Sequence, residues 1–324
     1  MKSSDELLQL FNQALDELPL DKAPSRLYDP IRYVLSMGGK RIRPTMCLMA
    51  CELFSDEPAK ALIPALALEV FHNFTLLHDD IMDKAPTRRG MDCVHIKWDE
   101  NVAILSGDAM QILSYQILGA APVEYLKECL PIFSQTAIEV CEGQQFDMDF
   151  ETQKSVTVAE YMNMIRLKTA VLLAASLKMG AIAGGASASD ADLLYDFGLS
   201  TGLAFQLKDD LLDVYGDPET FGKRIGGDIA CNKRTFMLIN ALDKADPATL
   251  LELQGWLTDT TRAESEKISA VTSIYNKLNI KELCILEMGN HQKKAFEALA
   301  QVSVPESRKA ILIQLANELT DRDK

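Results

Sequence analysis

The sequence lacks the features that mark secreted and membrane proteins. Residues 1–19 are amphipathic and acidic, without the apolar core of a signal peptide, and no run of about 18 apolar residues follows. The seven cysteines are odd in number and never show C-x-x-C spacing, which disfavours disulfides and zinc. We therefore expect a cytoplasmic protein with no membrane span and with free, buried thiols.

Positive charge is also scarce. The chain carries 33 lysines and arginines against 47 aspartates and glutamates, a formal net charge of −14. Nucleic-acid binders need clustered cations to neutralise phosphates, and the same holds for anionic lipid surfaces, so we expect neither partner. No Pro/Gly/Ser-rich linker or low-complexity block interrupts the 324 residues. We therefore predict a single domain over residues 1–324.

Strand signals are missing, whereas helical periodicity runs along most of the chain. Apolar and polar residues never alternate for long, and no hairpin dipeptide is flanked by such alternation. Ser3 with Glu6 and Thr157 with Glu160 form capping boxes that predict helix starts. The apolar segment 59–83 predicts a helix buried on most sides. An all-α bundle of about a dozen helices is expected, with further helices over 100–119, 122–148, 157–179, 189–215, 232–244, 246–257, 280–301 and 306–320.

One short acidic pattern occurs twice. "DDIMD" at 79–83 and "DDLLD" at 209–213 share the form D-D-x-x-D, and each ends a long apolar segment. Residues three or four apart are neighbours on a helix, so each pattern gathers its carboxylates on one face. A solvated helix end would explain one copy, but two copies facing each other in a bundle would need cations. Oxygen ligands of this kind favour Mg²⁺.

Basic residues lie before and after the acidic patterns. "GGKRIRP" at 38–44 leads into a helix start, which is a natural seat for an anion. Lys168 borders a long apolar stretch and is a poor candidate for a surface residue, whereas Arg41 and Arg224 are interpreted as surface residues. Acids, a metal and several cations together fit one or two diphosphates. The other cations of this set are Arg88, Arg89, Lys223, Lys233 and Arg234.

These motifs, in this order, resemble the trans-isoprenyl diphosphate synthases, also called short-chain polyprenyl synthetases. The resemblance covers almost the whole chain through "GGKRIRP", "HDDIMDKAPTRRG", "KT" at 168–169, "FQLKDDLLD" at 205–213, "GK" at 222–223 and "GGDIACNKRT". It implies the all-α isoprenoid synthase fold around a central apolar cavity, and a homodimer. It also implies a prenyltransferase that joins isopentenyl diphosphate head-to-tail to an allylic diphosphate and releases diphosphate.

The resemblance implies a role for each candidate residue. About three Mg²⁺ ions per active site would be held on the allylic diphosphate by Asp79, Asp80, Asp83, Asp209, Asp210 and Asp213. The same diphosphate would be bound by Arg88, Lys168, Gln206, Lys223 and Lys233. Isopentenyl diphosphate would be bound by Lys40, Arg43, His72 and Arg89. Oxygen dipoles beside the allylic cation would come from Thr169 and Gln206.

The helix before the first motif is expected to set product length. Counting back from Asp79 gives Thr75 and then Phe71, about 12 Å deeper at 1.5 Å per residue. Family resemblance adds Phe74 as a gauge position, although it lies about 140° around the helix from Asp79. One aromatic residue with an uninserted motif resembles the geranylgeranyl (C20) pattern. Facing side chains, such as Met110, could override this gauge.

Other functions remain open at this stage. Farnesyl diphosphate (C15) is the alternative product. A class I terpene cyclase would normally pair D-D-x-x-D with a different second metal motif, and a non-catalytic synthase subunit would normally lose one motif. Both motifs are intact here. The C-terminal Arg322 lies in an acidic stretch, and no role is assigned to it.

Overall fold

The computed structural model describes residues 1–217, 225–259 and 261–321, which are mainly helical. The all-α prediction is confirmed. The elements in chain order are α1 (Ser4–Asp16), α2 (Ser25–Ser36), α3 (Ile42–Phe54), a 3₁₀ turn (Pro58–Ala61), α4 (Leu62–Met82), β1 (Thr87–Arg88), β2 (Met91–Asp92), α5 (Val94–Lys97), α6 (Glu100–Gly119), α7 (Val123–Thr152), α8 (Val158–Ile165), a π turn (Arg166–Ala170), α9 (Val171–Gly184), α10 (Ala188–Tyr215), α11 (Gly227–Ala230), α12 (Phe236–Lys244), α13 (Pro247–Thr258), α14 (Glu264–Lys277), α15 (Ile280–Gln301) and α16 (Glu306–Asp321).

The chain divides into two compact units. The first comprises Met1–Gln135, Ala175–Tyr195 and Ser303–Ile311. The second comprises Thr136–Ala174, Asp196–Val302 and Leu312–Lys324. A division into compact units does not decide whether they fold together, so the single domain over 1–324 stays a prediction.

Helix α4 forms the centre of the first unit, where it packs against α6, α3 and α1. Leu68, Val70 and Phe71 are fully buried. The predicted long apolar helix is therefore confirmed, and its burial explains why apolar residues surround it on nearly every side. Because the first acidic pattern ends this helix, the core fixes the direction in which those carboxylates leave it.

Helices α3 and α9 approach each other closely within the first unit. A Cβ atom added at Gly180 would lie 2.0 Å from the carbonyl oxygen of Cys47, and one at Gly184 would lie 2.5 Å from that of Cys51. Both distances are far below van der Waals contact. The two glycines, one turn apart, are therefore required for the backbones to meet, and the cysteines opposite them are fully buried.

The second unit has its own core, to which α8, α10, α12, α14 and α15 contribute. Tyr161, Leu207, Met237 and Cys284 are among its buried residues. The sequence analysis assigned no helix to residues 264–277, yet α14 forms there and buries Val271, Ile274 and Tyr275. The apolar periodicity of α14 extends over few residues and most of its surface is polar, so the sequence gives only a weak helical signal there.

A small hairpin follows the first acidic pattern. β1 pairs with β2 in antiparallel register, with Arg88 opposite Met91. The turn residues Arg89 and Gly90 both have positive φ, at 53° and 75°, as two-residue hairpin turns require. Strands of two residues are too short to show alternation in sequence. The hairpin points Arg88 back towards the end of α4.

Local expectations from the sequence are mostly confirmed. Both predicted capping boxes are present, at Ser3 with Glu6 and at Thr157 with Glu160. All seven cysteines are free. The expectation that all of them are buried is wrong for Cys141 and Cys231, which are exposed.

Two described helical segments are long and apolar enough to cross a membrane by composition. In Pro58–Met82 and Val158–Gly184, however, 67% and 72% of the most apolar window is buried inside the protein. Core helices commonly have this character. The described part of the chain therefore shows no clear membrane span.

Candidate active site

The first carboxylate group lies at the C-terminal end of α4. Asp79 and Asp80 occupy its last turn, and Asp83 is the residue that ends it. Arg88 donates from Nε to both carboxylate oxygens of Asp80 at 2.9 Å, and its Nη2 lies 2.7 Å from Oδ1 of Asp80 and 3.6 Å from Oδ2 of Asp79. Burial alone would lower the pKa of Arg88, but the two carboxylates raise it. The structure thus joins Arg88 to the acids it follows in sequence.

A basic cluster lies in the same unit, and we define it as Lys40, Arg43, His72 and Arg89. Nη1 of Arg43 lies 3.0 Å from Nε2 of His72. Burial, and next the positive charges of Arg43 and Arg89, hold the pKa of His72 well below its ordinary value, so the ring is neutral. Burial also lowers the pKa of Arg43 to about 10. Nε of Arg43 is buried without a hydrogen-bond partner, as expected of a donor that awaits an anion.

Arg89 lies against the glycine pair that precedes the first basic motif. Its Nη1 donates to the carbonyl of Gly38. A Cβ atom at Gly39 would lie 2.5 Å from the guanidinium carbon of Arg89, and the φ of Gly39 is +117°. Gly39 is therefore needed both for its backbone conformation and for the space that Arg89 occupies.

Arg41 is not the surface residue that the sequence analysis expected. Its side chain is 5% exposed and forms an ion pair at 2.5 Å with Glu69, which is 2% exposed. Its neighbour Lys40 is exposed. The sequence suggested a surface position because "KRIR" resembles a solvated basic run, whereas the partner that draws Arg41 inwards lies 28 residues away.

The second carboxylate group lies on α10 in the second unit. Asp210 is buried, accepts a hydrogen bond from the hydroxyl of Tyr161, and accepts a second from Nε2 of Gln206 at 3.3 Å. Burial, together with the charge of Asp228, raises the pKa of Asp210 to about 7. Asp213 lies one turn further on and accepts the backbone N–H of Asp228 at 3.0 Å.

Two candidate cations of the second unit, Lys168 and Lys233, lie around Asp147 on α7. Nζ of Lys168 lies 2.6 Å from Oδ2 of Asp147, and Nζ of Lys233 lies 4.0 Å from the same oxygen. Burial would raise the pKa of Asp147, but the two lysines lower it. A single aspartate in a helix has no distinctive spacing, so Asp147 could not be recognised from the sequence.

Lys168 and Thr169 lie in the π turn, which interrupts the continuous helix predicted over 157–179. A π turn widens the helix by one residue and is frequent at functional sites. Two glycines let neighbouring helices reach it: a Cβ at Gly143 would lie 2.2 Å from the backbone nitrogen of Lys168, and one at Gly202 would lie 2.7 Å from Cα of Ala170. Thr169 donates to Oε1 of Gln206 at 3.2 Å.

The predicted gauge residues lie in an aromatic cluster of the first unit. Phe71 is fully buried and Phe74 is 7% exposed, with ring centroids 5.4 Å apart. Phe71 also packs on Phe133 at 5.5 Å, and Phe74 packs on His78 at 4.8 Å. Thr75 is part-buried and donates to the carbonyl of His72. The role of these three residues in product length stays a prediction.

Three other residues named in the sequence analysis, Lys223, Arg224 and Arg322, lie outside the described residues.

The donor set fits magnesium. Within the described ranges, no three His, Cys, Asp or Glu side chains converge tightly enough to hold a metal ion by themselves. Mg²⁺ does not need such a cage, because it keeps waters and takes one or two carboxylates together with substrate phosphate oxygens. Asp79, Asp80 and Asp83 in one unit, and Asp209, Asp210 and Asp213 in the other, supply oxygen ligands of that kind.

Comparison with known proteins decides the family. A family model described as polyprenyl synthetase matches residues 24–276, more than half of the chain. The chain belongs to this family. As a polyprenyl synthetase it is an enzyme that transfers prenyl groups.

Individual relatives of this polyprenyl synthetase are similar over most of their length. A geranylgeranyl diphosphate synthase of Methanosarcina mazei is 39% identical over 96% of this chain and 94% of its own. A geranylfarnesyl diphosphate synthase of Natronomonas pharaonis is also 39% identical, over 78% of each chain. A crystal structure of a geranylgeranyl pyrophosphate synthase superposes with a TM-score of 0.94 at 40% identity and covers all of both chains.

Proposed function

We propose that this protein condenses isopentenyl diphosphate with an allylic diphosphate and makes geranylgeranyl diphosphate as its main product. One observation carries the proposal: each unit presents a D-D-x-x-D carboxylate group that a cation acts on. In the first unit Arg88 pairs with Asp80. In the second, burial raises the pKa of Asp210 and the charge of Lys233 opposes that rise, and Lys233 shares Asp147 with Lys168. This pairing of acids and cations suits a metal-bound diphosphate leaving group. Farnesyl diphosphate remains the alternative product.

The six aspartates would hold Mg²⁺, about three ions per active site, on the allylic diphosphate. The metal would supply Lewis-acid stabilisation of the leaving diphosphate. Arg88, Lys168 and Lys233 would turn from their present carboxylate partners to the diphosphate oxygens, and Lys223 is assigned the same role by the family resemblance. Exchanging a carboxylate partner for a diphosphate of higher negative charge costs these cations little interaction energy.

Isopentenyl diphosphate would bind at the basic cluster. The neutral ring of His72 leaves Arg43 as the charged donor of that pair, and the buried, unpartnered Nε of Arg43 supplies a ready hydrogen bond. Lys40 is exposed and can reach an incoming anion. The double bond of isopentenyl diphosphate would then attack the allylic cation, and the proton lost from the product would go to the departing diphosphate.

The allylic cation would be stabilised by oxygen dipoles. The hydroxyl of Thr169 donates to Oε1 of Gln206, and Nε2 of Gln206 donates to Asp210. Both side chains are thereby fixed in orientation, so that their dipoles need not reorganise as charge develops.

Product length would be limited by the aromatic cluster below Asp79. Phe71 packs on both Phe74 and Phe133, so these rings would form a rigid barrier. Relatives of equal identity are named for geranylgeranyl and geranylfarnesyl products, so overall similarity does not fix the length. Of the fourth and fifth residues before the first acidic motif, Thr75 and Phe74, only Phe74 is aromatic, and this pattern favours the C20 product.

A homodimer in the cytoplasm is part of the proposal. On α6, Leu105 and Ile112 are each 61% exposed and lie seven residues apart on one face. An exposed apolar stripe of this kind suits a second copy of the chain. The seven free cysteines suit a reducing compartment.

The test is to incubate the protein with Mg²⁺, isopentenyl diphosphate and labelled dimethylallyl, geranyl or farnesyl diphosphate. We expect a labelled C20 diphosphate. Asp79→Ala and Asp210→Ala should each abolish turnover and keep the helical circular dichroism spectrum, whereas Asp21→Ala, an exposed acid, should be as active as the wild type. Near-normal rates in either of the first two variants, or release of a cyclic hydrocarbon, would contradict the proposal.

A further inference from the structure

Arg41 occupies an unusual backbone position inside the basic motif. It has a left-handed conformation, with φ 46° and ψ 39°, and it is the residue that caps the start of α3. Left-handed backbone is unfavourable for a residue with a side chain, so other contacts must hold it. Arg41 supplies several of these contacts itself.

Those contacts attach the motif to two other elements. Nη1 of Arg41 donates to Oε1 of Glu69 on α4, and Nη2 donates to the carbonyl of Leu35 on α2. The carbonyl of Arg41 accepts the hydroxyl of Thr45 at 2.8 Å. Asn73, one turn after Glu69, donates to the same glutamate oxygen at 2.9 Å. The motif is therefore fixed by a buried network rather than by its own loop.

Positive charge predominates around this network. Arg41, Arg43 and Arg89 are cations of one region, and the charge of Glu69 raises the pKa of both Arg43 and Arg89 against the effect of burial. Glu69 thus offsets repulsion among side chains that would otherwise be pushed apart. An acid that only repelled the anionic substrate would not provide this stabilisation of the neighbouring arginines.

We propose that Arg41 and Glu69 are positioning residues that hold Lys40 and Arg43 in the geometry needed to bind isopentenyl diphosphate. Neither needs to touch the substrate. The inference rests on the proposed function and adds to it the pair that orients the isopentenyl site. A misplacement of about 1 Å at a binding group can cost about 100-fold in rate, so a small loss of register is enough.

The sign of one kinetic change separates positioning from simple electrostatics. Glu69→Gln removes a negative charge near an anion site, so a through-space effect alone would lower the KM for isopentenyl diphosphate. Loss of positioning would raise it, and we expect a rise of about tenfold to 100-fold with the KM for the allylic diphosphate within about twofold of wild type. Arg41→Lys keeps the charge but not the two-armed contact, and we expect a smaller rise in the same KM.

A double variant separates positioning from stability. Arg41→Met with Glu69→Leu removes both members of the buried ion pair. Arg41 is then not left as an unpaired buried charge, so the melting temperature should recover relative to Glu69→Gln. Its KM for isopentenyl diphosphate should stay raised, because the contacts of Arg41 with Glu69 and with Leu35 are both lost. A matched control is Arg308→Met, which removes contacts with the carbonyl of Glu52 and with Asp56 at the opposite end of α3 and should leave every KM unchanged.

The outcomes are decisive in each case. A lowered or unchanged KM for isopentenyl diphosphate in Glu69→Gln, or a wild-type KM in the double variant, would overturn the inference. If the wild-type protein itself does not consume isopentenyl diphosphate, the proposed function fails instead. The two failures are therefore distinguishable in one set of assays.

Discussion

Arg88→Gln should change Mg²⁺ binding in opposite directions, depending on whether diphosphate is present. In the structure Arg88 donates to both oxygens of Asp80 and lies close to Asp79. A metal ion that binds Asp80 alone must break this pair. If diphosphate binds together with the metal, as proposed, Arg88 would gain a new anionic partner and would release the carboxylate.

The size of the effect follows from the geometry. A hydrogen bond to a charged group contributes about 1.5–3 kcal/mol, and each 1.4 kcal/mol is a factor of ten. The side chains of Arg88 and Asp80 are 27% and 7% exposed, so solvent screens the pair only partly. Loss of one such bond should tighten binding of Mg²⁺ alone by about tenfold to 100-fold.

Isothermal titration calorimetry can measure both directions. Mg²⁺ would be titrated into the wild type and into Arg88→Gln, first alone and then with inorganic pyrophosphate. We expect the variant to bind Mg²⁺ more tightly alone and more weakly with pyrophosphate. Arg89→Gln is the matched control, since Arg89 donates to Gly38, and it should leave binding of Mg²⁺ alone near the wild-type value. The reasoning is refuted if Arg88→Gln does not tighten the binding of Mg²⁺ alone.

Two further predictions follow from single side chains. Phe74→Ala should shift the product, measured by chromatography of labelled diphosphates, to more than 20 carbons, because it removes the ring packed on Phe71; an unchanged product would show that Phe74 is not the gauge. Asp190 accepts the backbone N–H of Ser303 at 2.7 Å, and although burial opposes the change, its hydrogen bonds lower its pKa. Asp190→Asn should cost about 1.5–3 kcal/mol at pH 7, roughly 2–4 °C in melting temperature. A lowered carboxyl pKa stabilises the fold above the unfolded pKa, so this deficit should shrink as the pH falls below about 4; equal deficits at pH 7 and pH 3 would contradict it.

Much of the helical architecture was predictable from sequence, because strong local signals agreed with the final packing. The capping boxes at Ser3 and Thr157 mark helix starts that form as predicted. The long apolar segment that became α4 could be recognised because a helix buried on most sides needs no alternation. The weakly periodic α14 was missed because its buried face is narrow.

The acidic motifs were recognisable because helical spacing is local information. Other residues of the site take their positions from partners that are distant in sequence. Arg41 is drawn inwards by Glu69, Asp147 gathers Lys168 and Lys233, and Tyr161 donates to Asp210, 49 residues away. A single acid or tyrosine within a helix carries no spacing signal, so tertiary structure alone assigns it.

The uneven exposure of the cysteines has a practical consequence for spectroscopy. Cys141 and Cys231 are exposed, whereas the other five thiols are buried. Thiol-reactive dyes should therefore label these two positions and leave the interior intact. Cys231 lies two residues before Lys233, so a fluorophore there would report on diphosphate binding without a radioactive substrate. The native chain thus already contains its own attachment points for an optical binding assay.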